Sequence, residues 1–236
     1  MLRTNILICG GIAHEADLIA NVLPKDDSTV RTCITDEKVI IKELSGSELN
    51  SVLFFVNGSS GRWEKIIRNI RTAFPDIKIF AGASGASLSD MGRLRSAGAD
   101  LCMMFPASIR VFTDIIHVYM RFCDDSRIPL YAACFLCQYG FSAKNTGFLY
   151  LCSAIDLCLK EPEYLEALYD RVYGTIAERF GVQPELVERM LRRTASVSAS
   201  NGTLSAVTGE IGQKITSHDL IAVLCDAYAI SRYFII

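Results

Sequence analysis

Short apolar blocks and polar breaks follow one another through the first half of the chain. Asn5 to Cys9 is an apolar run closed by Gly10-Gly11, the pattern of a buried strand that ends in a tight turn. Ala13 to Leu23 carries helical periodicity and stops at Pro24. Val30 to Thr35 reads as a second strand, and Glu37 to Leu44 as a helix. Val52 to Val56 is an apolar run rich in β-branched and aromatic types, followed by Asn57-Gly58, a third strand and its turn. Arg62 to Phe74 is an amphipathic helix ended by Pro75, and Ile77 to Ala81 a fourth strand. Leu88 to Ala97 predicts a helix with Gly98 as its C′ residue. Leu101 to Phe105 is the fifth strand, ending at Pro106, and Ile109 to Met120 is the last helix of the series. Strands alternating with helices in this way predict an α/β domain with a doubly wound, five-stranded parallel sheet. Chemistry in such sheets gathers at the carboxyl ends of the strands.

A polar break, Cys123-Asp124-Asp125-Ser126-Arg127, then changes the pattern. The expected organisation is an α/β domain over 1–121, a linker over 122–129 and an all-α domain over 130–236. Helices are predicted over Leu130 to Tyr139, Gly147 to Leu159, Glu163 to Phe180 with a break inside it, Pro184 to about Val197, and His218 to about Ile235. No strand is expected after residue 130.

Tyr173 to Arg192 carries the spacing of a helix-turn-helix. Such a motif needs a small residue where its helices touch, a turn residue that tolerates positive φ, and apolar residues that pack the helices together. Ile176, Ala177, Gly181, Val182, Val187 and Met190 fall at the required positions. Pro184 suits the first turn of the second helix, and Glu185 complements its dipole. Glu185, Glu188, Arg189, Arg192 and Arg193 share the outward face of that helix. Arg bonds guanine O6 and N7, and Glu accepts from cytosine N4, so this face suits a G·C-containing site. The plainer reading is a solvated face with Glu185–Arg189 and Glu188–Arg192 pairs.

Composition narrows the choice. The 236 residues are half apolar and carry a formal net charge of −2. The best candidate for a membrane span, Phe148 to Leu159, is too short and is interrupted by Asp156. No N-terminal secretory pattern is apparent. The nine cysteines have irregular spacing, and Cys9, Cys102, Cys152, Cys158 and Cys225 sit in apolar runs, as small buried hydrophobes of a reducing cytosol do. Cys134-x-x-Cys137 has redox spacing but falls in a helical pattern without thioredoxin context. His14, His117 and His218 are scattered, and no metal, cofactor or catalytic set is expected. Residues 126–236 hold ten Lys/Arg against eleven Asp/Glu, so any basic character is local.

Two resemblances follow from particular residues. Ser96-Ala97-Gly98-Ala99-Asp100, then a strand closing at Pro106, resembles the AGAD…KP signature of response-regulator receiver domains, which have a flavodoxin-like sheet. In that family an acidic pair after strand one holds Mg²⁺, an Asp ending strand three attacks phosphorus, a Thr or Ser ends strand four, and a Lys precedes the Pro. The corresponding positions here are Gly10 and Gly11, Val56 or Asn57, Gly82 with Ser84 nearby, and Phe105. The nearest acids, Glu15, Asp17 and Asp90, lie in helical patterns. The resemblance therefore implies a pseudo-receiver without phosphoacceptor chemistry. Gly10-Gly11 and Gly82-Ala83-Ser84-Gly85 either let backbone N–H groups approach an anion or are plain turns; no G-x-G-x-x-G or Walker pattern favours the first.

Residues from about 138 to 230 resemble the C-terminal effector domain of the stage 0 sporulation protein A family. The resemblance rests on Gly147 to Leu151, Ala154-Ile155, Ile176 to Phe180, Val187-Glu188-Arg189 with Arg192, Thr216-Ser217 and Leu220 to Val223. It implies a cytoplasmic transcription regulator, not an enzyme, that binds double-stranded DNA as a homodimer and reads TGTCGAA-like boxes. Glu188, Arg189 and Arg192 match the family's base-reading set, with Lys144, Arg179 and Arg193 as candidates for phosphate contact. Ser196 to Ser200 is smaller and less basic than the family's pattern. The receiver is then a dimerisation module, a surface for a protein partner, or a ligand sensor. The alternative is a protein that does not bind DNA and titrates a kinase, phosphotransferase or the true regulator. The terminal apolar segment, Asp219 to Ile236, either packs inward or forms part of a protein–protein surface.

Overall fold

The computed structural model describes residues 4–10, 21, 28–33, 36–46, 48–57, 61–84, 86–105, 109–208, 215–230 and 234–235. Their chain contacts divide into two compact units, Met1–Arg121 with Tyr233–Ile236, and Phe122–Arg232.

The first unit is built on a sheet of order β2-β1-β3-β4-β5-β6. Its strands are β1 Thr4–Gly10, β2 Ser28–Cys33, β3 Ser51–Asn57, β4 Lys78–Ser84, β5 Leu101–Phe105 and β6 Phe234–Ile235. The first five are parallel, in the 2-1-3-4-5 order of flavodoxin-like folds. The helices between them are α1 Glu37–Ser45, α2 Gly61–Ala73, α3 Leu88–Ser96 and α4 Ile109–Phe122. The helix expected over Ala13 to Leu23 lies outside the described residues. Ile6 to Cys9, Val52 to Phe54, Ile79 and Phe80 are almost fully shielded from water, which is why these strands read as unbroken apolar runs.

The AGAD-like segment has a structural role. Asp100 accepts the N–H of Ile79 at 2.6 Å and pairs with Arg71 at 2.5 Å. The Arg71 guanidinium also donates to the carbonyls of Pro75, Ile77 and Gly98, fastening the turn before β4 to the turn before β5. Gly98 has φ +116, and a β-carbon there would stand 3.0 Å from Arg71 Cβ, so the glycine is required twice over.

The strand β6 corrects the expectation of an all-helical region after residue 130. It pairs antiparallel with β5, Cys102 with Ile235 and Met103 with Phe234. A helix extending to Ile235 is likewise replaced by one that ends at Ile230. The partner of this strand is distant in sequence, so no local pattern announces it.

The second unit holds α5 Leu130–Gln138, α6 Thr146–Lys160, α7 Gly174–Phe180, α8 Pro184–Ser200, α9 Thr203–Thr208 and α10 Ser217–Ile230. Helix α6 packs on α5, α8 and α10. Phe148, Leu151, Cys152, Ala154 and Ile155 are buried, so this apolar stretch is a core helix. Asp156 is buried too, and its carboxylate is satisfied by Tyr131 Oη at 2.7 Å and Lys160 Nζ at 2.9 Å. Burial and this carboxylate push the Tyr131 phenol well above its ordinary range. No helix among the described residues is long and apolar enough to cross a membrane. The break expected inside Glu163 to Phe180 is present: a 3₁₀ stretch over Pro162–Ala167 and a π-helical stretch over Leu168–Tyr173 precede α7. The short α9 was not anticipated by periodicity; six residues are too few to show one.

Candidate nucleic-acid interface

The path from α7 to α8 follows the anticipated helix-turn-helix. Gly181 ends α7 with φ +67, in the left-handed region, and its N–H returns to the carbonyl of Glu178 at 3.4 Å. The N–H of Val182 bonds the carbonyl of Ala177 at 3.0 Å, completing the reversal. Ile176 and Ala177 are buried on the first helix, Val187, Leu191 and Ala195 on the second. Pro184 opens α8 and Glu185 lies in its first turn.

The opposite face of α8 is open to water. Arg189, Arg192 and Arg193 are exposed, and the Glu188 side chain keeps 41% of its surface accessible. Glu188 and Arg192 approach to 3.7 Å. With the arginine 69% exposed, this contact is loose and leaves the guanidinium available. Glu185 takes a different partner from the one expected: Tyr169 Oη donates to it at 2.8 Å. Its own backbone N–H, helped by that phenol, holds the Glu185 carboxyl below the usual carboxylate range. Glu185 thus lies at the head of α8 and is bonded by Tyr169, while Arg189 and Arg192 follow on the next turns.

Close packing sets the position of α8. Gly147, in the first turn of α6, meets it with no room for a side chain. A β-carbon at Gly147 would collide with Thr194 Oγ1 and lie 3.0 Å from the Met190 carbonyl oxygen. Thr194 itself donates to that carbonyl at 2.9 Å.

Lys144 and Arg193 come together on one cavity of about 430 Å³, between the α5–α6 turn and the second half of α8. Arg179, on the last turn of α7, is half-buried and is not part of that cavity. Tyr169 and Asn145 were missed by sequence reasoning. Tyr169 precedes Glu185 by a whole helix and a turn, beyond the reach of any helical spacing. Asn145 occupies the N-cap position of α6, but its side chain makes no capping bond.

In the first unit, the strand ends align the positions that receiver chemistry would use. The backbone register places Asn57 beside Ser84, and Ser84 beside Phe105. Val56 is buried, and Gly82 is buried beside Phe55 and Met103. Gly10 has φ +79, and a β-carbon on it would sit 2.7 Å from the Phe55 carbonyl oxygen and 2.9 Å from the Trp63 ring. Trp63 is 6% exposed and packs on Phe54 at a centroid distance of 5.5 Å. Gly11 lies outside the described residues, and of Asn57 and Phe105 only the backbone is described. No group of three or more potential metal-ligating side chains is present among the described residues. Cys9, Cys102, Cys134, Cys137, Cys152, Cys158 and Cys225 are buried, and burial pushes the Cys134 thiol up to about 12.

Residues 133–225 match the family model described as the sporulation initiation factor Spo0A C terminal. Several solved receiver structures resemble the other part of the chain. A CheY-like response regulator receiver domain protein from Methanospirillum hungatei JF-1 is 19% identical, with a TM-score of 0.45, over 51% of this chain and 95% of its own. A response regulator from Thermotoga maritima is 20% identical, with a TM-score of 0.43, over 49% and 96%. A two-component response regulator from Clostridium difficile is 13% identical, with a TM-score of 0.46, over 52% and 100%. Strand order and family match together describe the molecule: an α/β unit with the strand order of flavodoxin-like folds, and a helical unit of which residues 133–225 match the Spo0A C-terminal model.

Proposed function

We propose that this chain is a sequence-specific transcription regulator that inserts α8 into the major groove of double-stranded DNA. The observation that carries the reading is the combination of a left-handed Gly181 turn with an exposed Glu188–Arg189–Arg192 face on the helix that follows. A helix presenting its first turns to base edges is the docking mode of helix-turn-helix proteins. Arginine forks on that face match guanine, and Glu188 matches cytosine N4. The preferred site is a TGTCGAA-like box, occupied by two copies of the chain. Few cations line the interface, so non-specific binding is weak and the salt dependence shallow.

Regulation by aspartyl phosphorylation is absent in this reading. The positions that would hold Mg²⁺ and the phosphoryl group are Gly10, Gly11, Val56, Asn57, Gly82 and Phe105, none of them a carboxylate or a lysine. The packing of Trp63 against Gly10 supports the same view, because an acidic side chain at Gly10 has no space. The first unit is then a dimerisation or partner surface. The deciding experiment is selection of bound duplexes from a random pool by the purified full chain. A recovered TGTCGAA-like consensus supports the reading. Recovery of no sequence shifts the function to titration of a partner protein.

A further inference from the structure

We infer that the cavity between the α5–α6 turn and the second half of α8 is a binding site for a phosphate group carried on an apolar or planar body. Its volume of about 430 Å³ falls in the range of small-molecule sites. Phe141, Phe148 and Met190 supply an apolar wall, and the two phenylalanines are 7% and 2% exposed. Lys144 and Arg193 stand on the same cavity from separate elements, and neither has an ion-pair partner among the described residues. No aspartate or glutamate lines it. Two positive side chains with no acidic neighbour on the cavity thus border one concavity that also has an apolar wall.

The charge selects the ligand class. A phosphate monoester carries about −1.5 to −2 at neutral pH, matching the two cations. The arginine offers a planar fork to two oxygens, and the lysine a movable point charge to the third. The first turn of α6, a helix of fifteen residues, forms part of the same wall, and Asn145 leaves its N-cap role unfilled. The site is separate from the base-reading set, since Glu188, Arg189 and Arg192 do not line it. It shares their helix, however, so a ligand seated on Arg193, Met190 and Thr194 bears directly on α8. A backbone phosphate of DNA, a diester with one negative charge, is the competing occupant.

The test uses the full chain and the variant Lys144→Gln/Arg193→Gln, with circular dichroism to show that both are folded. In the absence of DNA, calorimetric titration compares AMP with adenosine. AMP is expected to bind at least about tenfold more tightly, with the preference lost in the variant and partly kept in Arg193→Lys. A second arm measures the salt dependence of duplex binding and alone rests on the DNA reading above; loss of two phosphate contacts lowers the log–log slope by about 2. AMP binding that disappears in the variant supports the site with a free ligand as its source. Indifference of both proteins to AMP with a reduced slope overturns it in favour of the DNA backbone as the only phosphate these residues hold. Equal behaviour of both proteins in both arms, or AMP binding that survives in the variant with an unchanged slope, overturns it.

Discussion

Single side chains decide the chemistry of α8. Replacing Arg189 or Arg192 by alanine removes a guanidinium that is exposed and only loosely engaged. Each substitution is expected to weaken binding to the selected site by about 1–3 kcal/mol and to relax base preference at one position. Fluorescence anisotropy on a set of single-base variants measures both effects, and thermal stability should stay unchanged. Gly147→Ala is the opposite case. Its β-carbon would collide with Thr194 Oγ1, so α6 and α8 must part or Thr194 must turn. A loss of about 1–3 kcal/mol in urea unfolding is expected. Sequence reasoning reached Arg189 and Arg192 because helical spacing is local and puts them on one face. It reached Gly147 only as part of a family-like string. That a glycine is needed there depends on Thr194, which is near in space and far along the chain.

At the scale of elements, the strand ends and helix caps carry the predictions. Asn57→Asp, alone or with Gly10→Asp, is not expected to accept a phosphoryl group from acetyl phosphate and Mg²⁺, as mass spectrometry will show. Asn57 lies in the right row of the sheet, but Gly10 has positive φ and no room for a carboxylate. A stable Mg²⁺-dependent adduct in the double variant would contradict the packing described. The start of α10 is held by a reciprocal cap. Asp219 accepts from the Thr216 hydroxyl at 2.7 Å, and its own N–H donates to that oxygen at 3.1 Å. The Thr216 hydroxyl, its backbone N–H and His218 hold the Asp219 carboxyl below its ordinary range. A depressed folded pKa stabilises above the unfolded value and is lost as pH falls through the folded one. Thr216→Ala should therefore flatten the acid limb of the stability curve below the usual carboxylate range, read by thermal melts against pH. Long elements were legible because each has its own periodicity or apolar run. The strand β6 and the short α9 were not: one is defined by a distant partner, the other by too few residues to show a period.

For the whole molecule, the net charge of −2 concealed a local arrangement. Three arginines and Lys144 gather at α8 and the turn before α6, while Asp156 and Asp100 are consumed by internal pairs. The two-unit division was foreshadowed by the switch from strand–helix alternation to continuous helical pattern. The return of the final residues to the first sheet was not, since their apolar character fits a core helix equally well. One packing detail also gives the molecule a built-in spectroscopic reporter. Trp63 is the single tryptophan of the chain, and it lies in the first unit against the end of β1. Indole emission therefore follows that unit alone, while far-ultraviolet dichroism is dominated by the helices of both. Denaturation followed by the two signals will separate the unfolding of one unit from the other without a label. A red shift on adding any partner or solute will mark the exposure of Trp63 to water.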